Sequence, residues 1–94
     1  MTMAQTIHGK LTAAFAPKEL IVDDDSAKHA GHSGARPGGE THFSVRIVSE
    51  SFEGASRVER QRRVYAALSA EFKPDGIHAL ALVTLTPAEM WQEH

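Results

Sequence analysis

The sequence predicts one small α+β domain with the element order αββαβα, in which a three-stranded mixed β-sheet is covered by helices on one face. Three kinds of observation predict it: apolar residues at helical spacing, a segment of strict apolar and polar alternation, and two helix-capping sequences. The chain has 94 residues, close to the lower size at which one core can support a fold. We therefore assign residues 1–94 to a single domain.

The first half of the chain predicts a helix followed by a β-hairpin. A helix is expected from Thr6 to Phe15, and Pro17 disfavours its continuation. Its apolar residues recur at helical spacing, at Ile7, Leu11, Ala14 and Phe15. A short strand at 20–22 ends in an acidic cluster at 23–25, and a second strand follows Thr41 with Phe43, Val45 and Ile47 on one face. The long connection between these strands carries His29 and His32.

The second half predicts a main helix, a strand and a short last helix. Ser56 and Glu59 have capping-box spacing, and so do Thr86 and Glu89. The inner face of the main helix is expected to carry the apolar residues Val58, Val64, Tyr65, Leu68 and Phe72. The third strand follows the K-P-D-G turn, at residues 77–85, and the last helix continues through Trp91.

The topology has a consequence for histidine placement. A crossover from the second strand through the main helix to the third strand is expected to leave these strands parallel in one sheet and to be right-handed. Their first residues, near Thr41 and Ile77, then lie at the same end of the sheet. His78 is therefore predicted to lie near the histidine-bearing loop.

Composition excludes several classes of function. The chain has no cysteine, so it has no disulfide, no thiolate zinc site and no cysteine nucleophile. Its formal net charge is -2, so any basic surface must be a local patch. The cluster Asp23–Asp25 is interpreted as a strand end rather than paired catalytic acids, and we do not expect an enzyme. No leader or bilayer-spanning run is apparent, so a soluble cytoplasmic protein without membrane contact is expected.

Motifs along nearly the whole chain resemble the BolA family. They are E-T-H-F at 40–43, F-x-G at 52–54, R-x-R-x-V-Y at 60–65 and I-H-A-L at 77–80. The resemblance implies a class II KH-like αββαβα fold. It also implies partnership with a monothiol glutaredoxin around a shared [2Fe-2S] cluster, in iron–sulfur assembly or trafficking. The alternative that it implies is a stress-responsive DNA-binding transcriptional regulator. Gln61 departs from the R-H-R sequence usual in the helix motif.

The same resemblance assigns cluster ligands to histidines. His78 matches the histidine of I-H-A-L, a cluster ligand in the family. The loop ligand is His29 when counted from D-D-S and His32 when counted back from E-T-H-F; we prefer His29. His42 is interpreted as a strand-end anchor. Because this chain offers only imidazoles, the glutaredoxin cysteine and glutathione must supply sulfur, and the isolated chain is expected to hold no cluster tightly. Zinc bound by the chain's own histidines is the weaker rival.

Four arginines on the main helix form a predicted basic surface: Arg57, Arg60, Arg62 and Arg63. Such a surface could meet an acidic protein partner or the phosphates of DNA. The G-x-x-G loop with which KH domains clamp nucleic acid is missing, because Gly54 is followed by Ala55, Ser56 and Arg57. We therefore keep DNA as the alternative partner.

Overall fold

The computed structural model describes residues 2–25, 42–72 and 76–93. Within these ranges the order αββαβα is confirmed. The elements are α1 (Met3–Phe15), β1 (Glu19–Asp24), β2 (His42–Val48), α2 (Arg57–Ala67), β3 (Ala79–Leu85) and α3 (Pro87–Gln92). Short 3-10 turns at Glu50–Phe52 and Ser69–Glu71 precede and follow α2.

The three strands form one mixed sheet in the order β1-β2-β3. β1 pairs antiparallel with the central strand β2, so that Val22 lies opposite Val45. β2 pairs in parallel with β3, and Val45 also lies beside Leu82. The predicted parallel pairing of the second and third strands is therefore confirmed, and both strands begin at the same end of the sheet.

One face of the sheet packs against α1 and α2 and forms the core. Alternation along β2 buries Phe43, Val45 and Ile47 on this face. The core cluster contains Ile7, Leu11, Phe15, Phe43, Val45, Ile47, Phe52, Val64, Leu68 and Ile77. Burial of these side chains is the main force that holds the two helices on the sheet. The described helices do not include one that is long and apolar enough to span a membrane.

The first helix starts three residues before the predicted Thr6, at Met3. A capping box that the sequence interpretation missed explains the earlier start. The backbone N–H of Gln5 donates to the Thr2 hydroxyl over 3.1 Å, and the Gln5 side chain accepts from the Thr2 N–H over 2.9 Å. The helix ends at Ala16, whose φ of 45° is a left-handed conformation more usual for glycine.

The predicted starts of α2 and α3 are confirmed. The Ser56 hydroxyl accepts from the Glu59 N–H over 3.1 Å at the start of α2. Thr86 and Glu89 form the complete capping box at the start of α3, where Pro87 occupies the first helical turn. Before α2, Gly54 has a φ of 81°, which a residue with a side chain would adopt only under strain.

The predicted inner face of α2 is correct for Val64 and Leu68, which are buried, and wrong for Val58 and Tyr65, which are exposed. The buried stripe consists of Arg60, Val64 and Leu68, four residues apart. Val58 and Tyr65 lie on the outer side, where they are 58% and 41% exposed, and Phe72 lies beyond the end of α2 and is 36% exposed. Since successive helical residues are about 100° apart, Val58 lies roughly 160° around the axis from Arg60.

Candidate functional site

The two ends of the sheet expose different groups. At one end β2 and β3 begin, and we call this the histidine end after His42 and His78. At the other end the two strands finish at Val48 and Leu85, which are buried, and we call this the closed end. A hydrogen bond of 2.9 Å from the Ser49 N–H to the Leu85 carbonyl joins the strands there.

His42 and His78 lie side by side at the histidine end. His42 is the first residue of β2 and pairs with Ala79, which directly follows His78. The two ring centroids are 6.4 Å apart, and the ring planes are nearly perpendicular at 84°. Both residues are exposed. The parallel topology thus places two imidazoles, 36 positions apart in sequence, at one accessible edge.

The other predicted ligands, His29 and His32, lie outside the described residues, so their ligand roles stay predictions. Among the residues described, no group of three or more histidine, aspartate or glutamate side chains is arranged to hold a metal ion. His42 and His78 therefore do not make a complete metal site by themselves within these ranges.

The acidic cluster Asp23–Asp25 borders the histidine end. In the sheet register Asp24 lies opposite Phe43, the second residue of β2. The Ser44 hydroxyl donates a hydrogen bond to the carboxylate of Asp25. This contact fixes the last residue before the long connection against the central strand. The carboxylates thus terminate β1, as the sequence interpretation expected.

Arg60 does not belong to the exposed basic surface, so the predicted four-arginine surface is wrong at this position. Only 6% of the residue is exposed. Its Nη1 donates to the Thr84 carbonyl over 3.1 Å and to the Glu89 carboxylate over 2.6 Å. Its Nε donates to the Ala55 carbonyl over 2.9 Å. A guanidinium is suited to such a position because its planar fork serves several acceptors at once.

The contact with Arg60 changes the acidity of the Glu89 carboxyl. Hydrogen bonding to the Arg60 guanidinium, followed by the backbone hydrogen bond from Thr86, lowers the pKa of the Glu89 carboxyl to about 2. Glu89 therefore stays ionised at any physiological pH. The same carboxylate caps α3 and pairs with α2, so it couples two helices at the closed end.

The remaining three arginines of α2 are exposed. Arg63 donates from Nη1 to the Ser51 carbonyl over 3.1 Å and lies 3.8 Å from the Glu59 carboxylate. Arg57 and Arg62 have no hydrogen-bond or ion-pair partner for their guanidinium groups among the described residues. The basic surface that the structure supports is therefore Arg57, Arg62 and Arg63.

The sequence interpretation missed an ion-pair cluster centred on one arginine, Arg46, on the opposite face of the sheet. Arg46, in the central strand, pairs with Glu19 of β1 and with Glu93 after α3. Hydrogen bonds that Arg46 donates to Glu93 and then to Glu19 raise the pKa of Arg46 above its ordinary value. The alternation of β2 does place Arg46 on the face away from the core, but the partner Glu93 is too distant in sequence to be inferred.

Comparison with known proteins gives a consistent result. Residues 11–89 match the family described as BolA-like protein. SufE-like protein 1 of Arabidopsis thaliana is 48% identical over 88 residues, which cover 89% of this chain and 24% of that protein. Protein BOLA1 of the same plant is 46% identical, with 92% of this chain and 54% of that protein covered. This chain thus spans about a quarter of the first relative and about half of the second.

A bacterial relative matches over a larger share of its length. The DNA-binding transcriptional regulator BolA of Haemophilus influenzae is 38% identical, and the match covers 95% of this chain and 82% of that protein.

Solved structures support the fold. The BolA domain of SufE1 from Arabidopsis thaliana superposes with a TM-score of 0.80 at 46% identity, covering 95% of this chain and 96% of that one. BolA1 from Arabidopsis thaliana gives a TM-score of 0.79 at 44% identity, with 92% and 93% covered. The three helices and the three-stranded mixed sheet described above match these domains.

Proposed function

This chain belongs to the BolA-like protein family, and on that premise we propose that it is an adaptor in iron–sulfur cluster assembly or trafficking. It binds a monothiol glutaredoxin and shares a [2Fe-2S] cluster with it. The observation that carries the proposal is the exposed His78 beside His42 at the histidine end. A fixed strand start there presents an exposed imidazole to a partner.

The donor set of the chain fits a shared cluster. There is no cysteine, so the chain cannot provide the four thiolates of an ordinary [2Fe-2S] site. Two imidazoles on one iron are a known substitute, and they raise the reduction potential of the cluster. Sulfur ligands then come from the partner, as the glutaredoxin cysteine and glutathione. When bound, the cluster supplies one-electron redox chemistry or is passed on as cargo.

The histidines have distinct roles in this proposal. His78 is the ligand held at the start of β3, and the second ligand comes from the loop, His29 with His32 as the alternative. His42 packs edge-on against His78 and restricts the orientation of its ring.

Mixing the chain with cluster-loaded glutaredoxin tests the proposal. We expect the visible absorption and circular dichroism of the cluster to change when the two proteins form a complex. His78→Ala should abolish this change, whereas His29→Ala should weaken it unless His32 substitutes. His8→Ala is the matched control, because His8 is an exposed histidine on α1. A wild-type spectrum from the double variant His78→Ala, His29→Ala would overturn ligation by these residues.

A second function, DNA-binding regulation, is favoured by a different observation. Arg57 and Arg62 carry guanidinium groups without partners in the described residues, and the Haemophilus influenzae relative is named as a DNA-binding transcriptional regulator. Counterion release predicts that duplex DNA binding falls steeply with salt. Mobility-shift assays at two salt concentrations should then show weaker DNA binding by the variants Arg57→Glu and Arg62→Glu. The control variant Lys18→Glu, at an exposed residue outside α2, should bind DNA as the wild type does. Equal binding by all of them would rule out this surface.

A further inference from the structure

The outer side of α2 carries an exposed stripe that neither the core nor the histidine pair uses. Val58, Gln61, Arg62 and Tyr65 stand at positions i, i+3, i+4 and i+7 of the helix, and all four are exposed. This spacing is the one by which a helix presents anchor residues to a partner. Phe72 extends the row, since its ring centroid is 5.3 Å from that of Tyr65. We call Val58, Arg62, Tyr65 and Phe72 the α2 stripe.

The α2 stripe combines apolar area with unpaired charge. Val58 is 58% exposed, Tyr65 41% and Phe72 36%. Tyrosine and arginine are the residue types enriched in the energetic centres of protein interfaces, alongside tryptophan. Contiguous exposed apolar residues rimmed by polar ones are typical of interaction surfaces. An aromatic and aliphatic row of this kind suits a protein surface better than a phosphate backbone, which would use the arginines alone.

The charge of the stripe indicates the chemistry of the partner. The Arg62 guanidinium has no partner among the described residues, and Arg57 at the start of α2 has none either. The chain as a whole carries a formal charge of -2, so this positive charge is local to α2. A partner surface with carboxylates around an apolar patch would be complementary to it.

The stripe also reaches the histidine end. The Tyr65 hydroxyl lies 3.5 Å from the Leu80 carbonyl oxygen, which places this side chain against the edge of β3. Leu80 is two residues after His78. A protein docked on the stripe would therefore lie beside the imidazole that the proposed function gives to the cluster.

We propose that the α2 stripe is the surface on which the glutaredoxin docks, through an apolar patch of that protein flanked by carboxylates. This inference rests on the proposed function and adds the surface that it requires. Docking through α2 is separate from ligation, so the stripe binds the partner before any cluster is present. The exposed Gln61 amide borders the stripe and contributes a neutral polar contact there.

Calorimetric titration with cluster-free monothiol glutaredoxin is the test. Val58→Ser should weaken binding about tenfold, because it removes the most exposed apolar anchor of the stripe. Val83→Ser is the matched control, since Val83 is 46% exposed on the sheet face away from α2 and should change binding less than about twofold. Arg62→Gln should weaken binding and reduce its salt dependence.

The outcomes separate this inference from the proposed function. If Val58→Ser and Arg62→Gln bind as the wild type while His78→Ala still abolishes the spectral change, the stripe is not the docking surface and the adaptor function stands. If neither cluster-free nor loaded glutaredoxin binds the wild type, both proposals are wrong. If the stripe variants lose only duplex DNA binding, the surface is a nucleic-acid site and the docking inference is overturned.

Discussion

The closed end and the histidine end of the sheet use polar residues in opposite ways. At the closed end the Ser49 side chain is fully buried; its hydroxyl donates to the Phe15 carbonyl over 2.7 Å and accepts from the Ser51 N–H. Arg60 is likewise buried among acceptors. At the histidine end His42 and His78 are exposed. Polar groups at the closed end therefore serve the fold, whereas the two histidines at the other end are open to solvent.

The last helix shows how far the closed end depends on charge. None of the residues of α3 is buried, so apolar packing contributes little to its position. Glu89 ties it to Arg60 on α2, and Glu93 just beyond it ties to Arg46 on β2. These two ion pairs hold the last described residues of the chain against α2 and against the central strand β2.

Removing the buried guanidinium should have the largest effect on stability. Arg60→Met keeps an extended side chain but leaves the Thr84 and Ala55 carbonyls without their donor, and we expect a loss of about 3 kcal/mol. Arg62→Met on the exposed side of α2 should change the free energy of unfolding by less than about 0.5 kcal/mol. Urea denaturation of the two variants measures the difference, and equal stabilities would show that Arg60 is not structural.

Neutralising Glu89 should have a smaller effect that depends on pH. Its folded pKa of about 2 lies below its ordinary value, so its contribution is complete above about pH 4.5 and is lost as the pH falls toward 2. Because its side chain is 41% exposed, Glu89→Gln should cost only about 1 kcal/mol at pH 7. The gap between wild type and variant should close in acid. A gap that persists at pH 2 would contradict the pairing.

Replacing the strained residue at the end of α1, Ala16, should increase the stability of the fold. Ala16 has a φ of 45°, and glycine adopts this conformation without a side-chain clash. Ala16→Gly should raise the free energy of unfolding by about 0.5 kcal/mol, after the greater freedom of glycine in the unfolded chain is subtracted. Ala13→Gly, inside the helix, should lower it by about as much or more. Thermal denaturation of both variants compares them, and destabilisation by Ala16→Gly would refute the strain.

Substitutions at the histidine end should have the smallest effect on stability. Because both residues are exposed, His42→Ala and His78→Ala should each change the free energy of unfolding by less than about 0.5 kcal/mol. The same urea experiment checks this. A loss near that of Arg60→Met would mean that the histidines serve the fold, and the contrast between the two ends would disappear.

Local signals predicted most of the fold. Capping sequences gave the starts of α2 and α3, because a hydroxyl and the N–H three residues later are adjacent in any helix. The expected parallel pairing of the second and third strands predicted that His78 lies at the end of the sheet where β2 starts, and His42 is there. The capping box of Thr2 and Gln5 was also visible in the sequence, but it precedes the apolar periodicity and was missed.

The errors concern residues whose environment is set by distant segments. Arginine at position 60 looks like the neighbouring exposed arginines, and its burial depends on acceptors supplied by Thr84 and Glu89, more than twenty residues later. Val58 and Tyr65 were assigned inward because they are apolar, whereas the charged Arg60 occupies the inner stripe. The loop ligands His29 and His32 lie outside the described residues, so that prediction stays open.

Pulsed electron paramagnetic resonance on the reduced heterocomplex tests the central claim most directly. The chain is prepared with ¹⁵N-histidine and combined with unlabelled, cluster-loaded glutaredoxin. Ligation by His78 and a loop histidine predicts strong ¹⁵N couplings to the cluster, and the coupling assigned to one imidazole should vanish in His78→Ala. A reduced cluster that shows no histidine nitrogen coupling in the wild-type complex would contradict the claim.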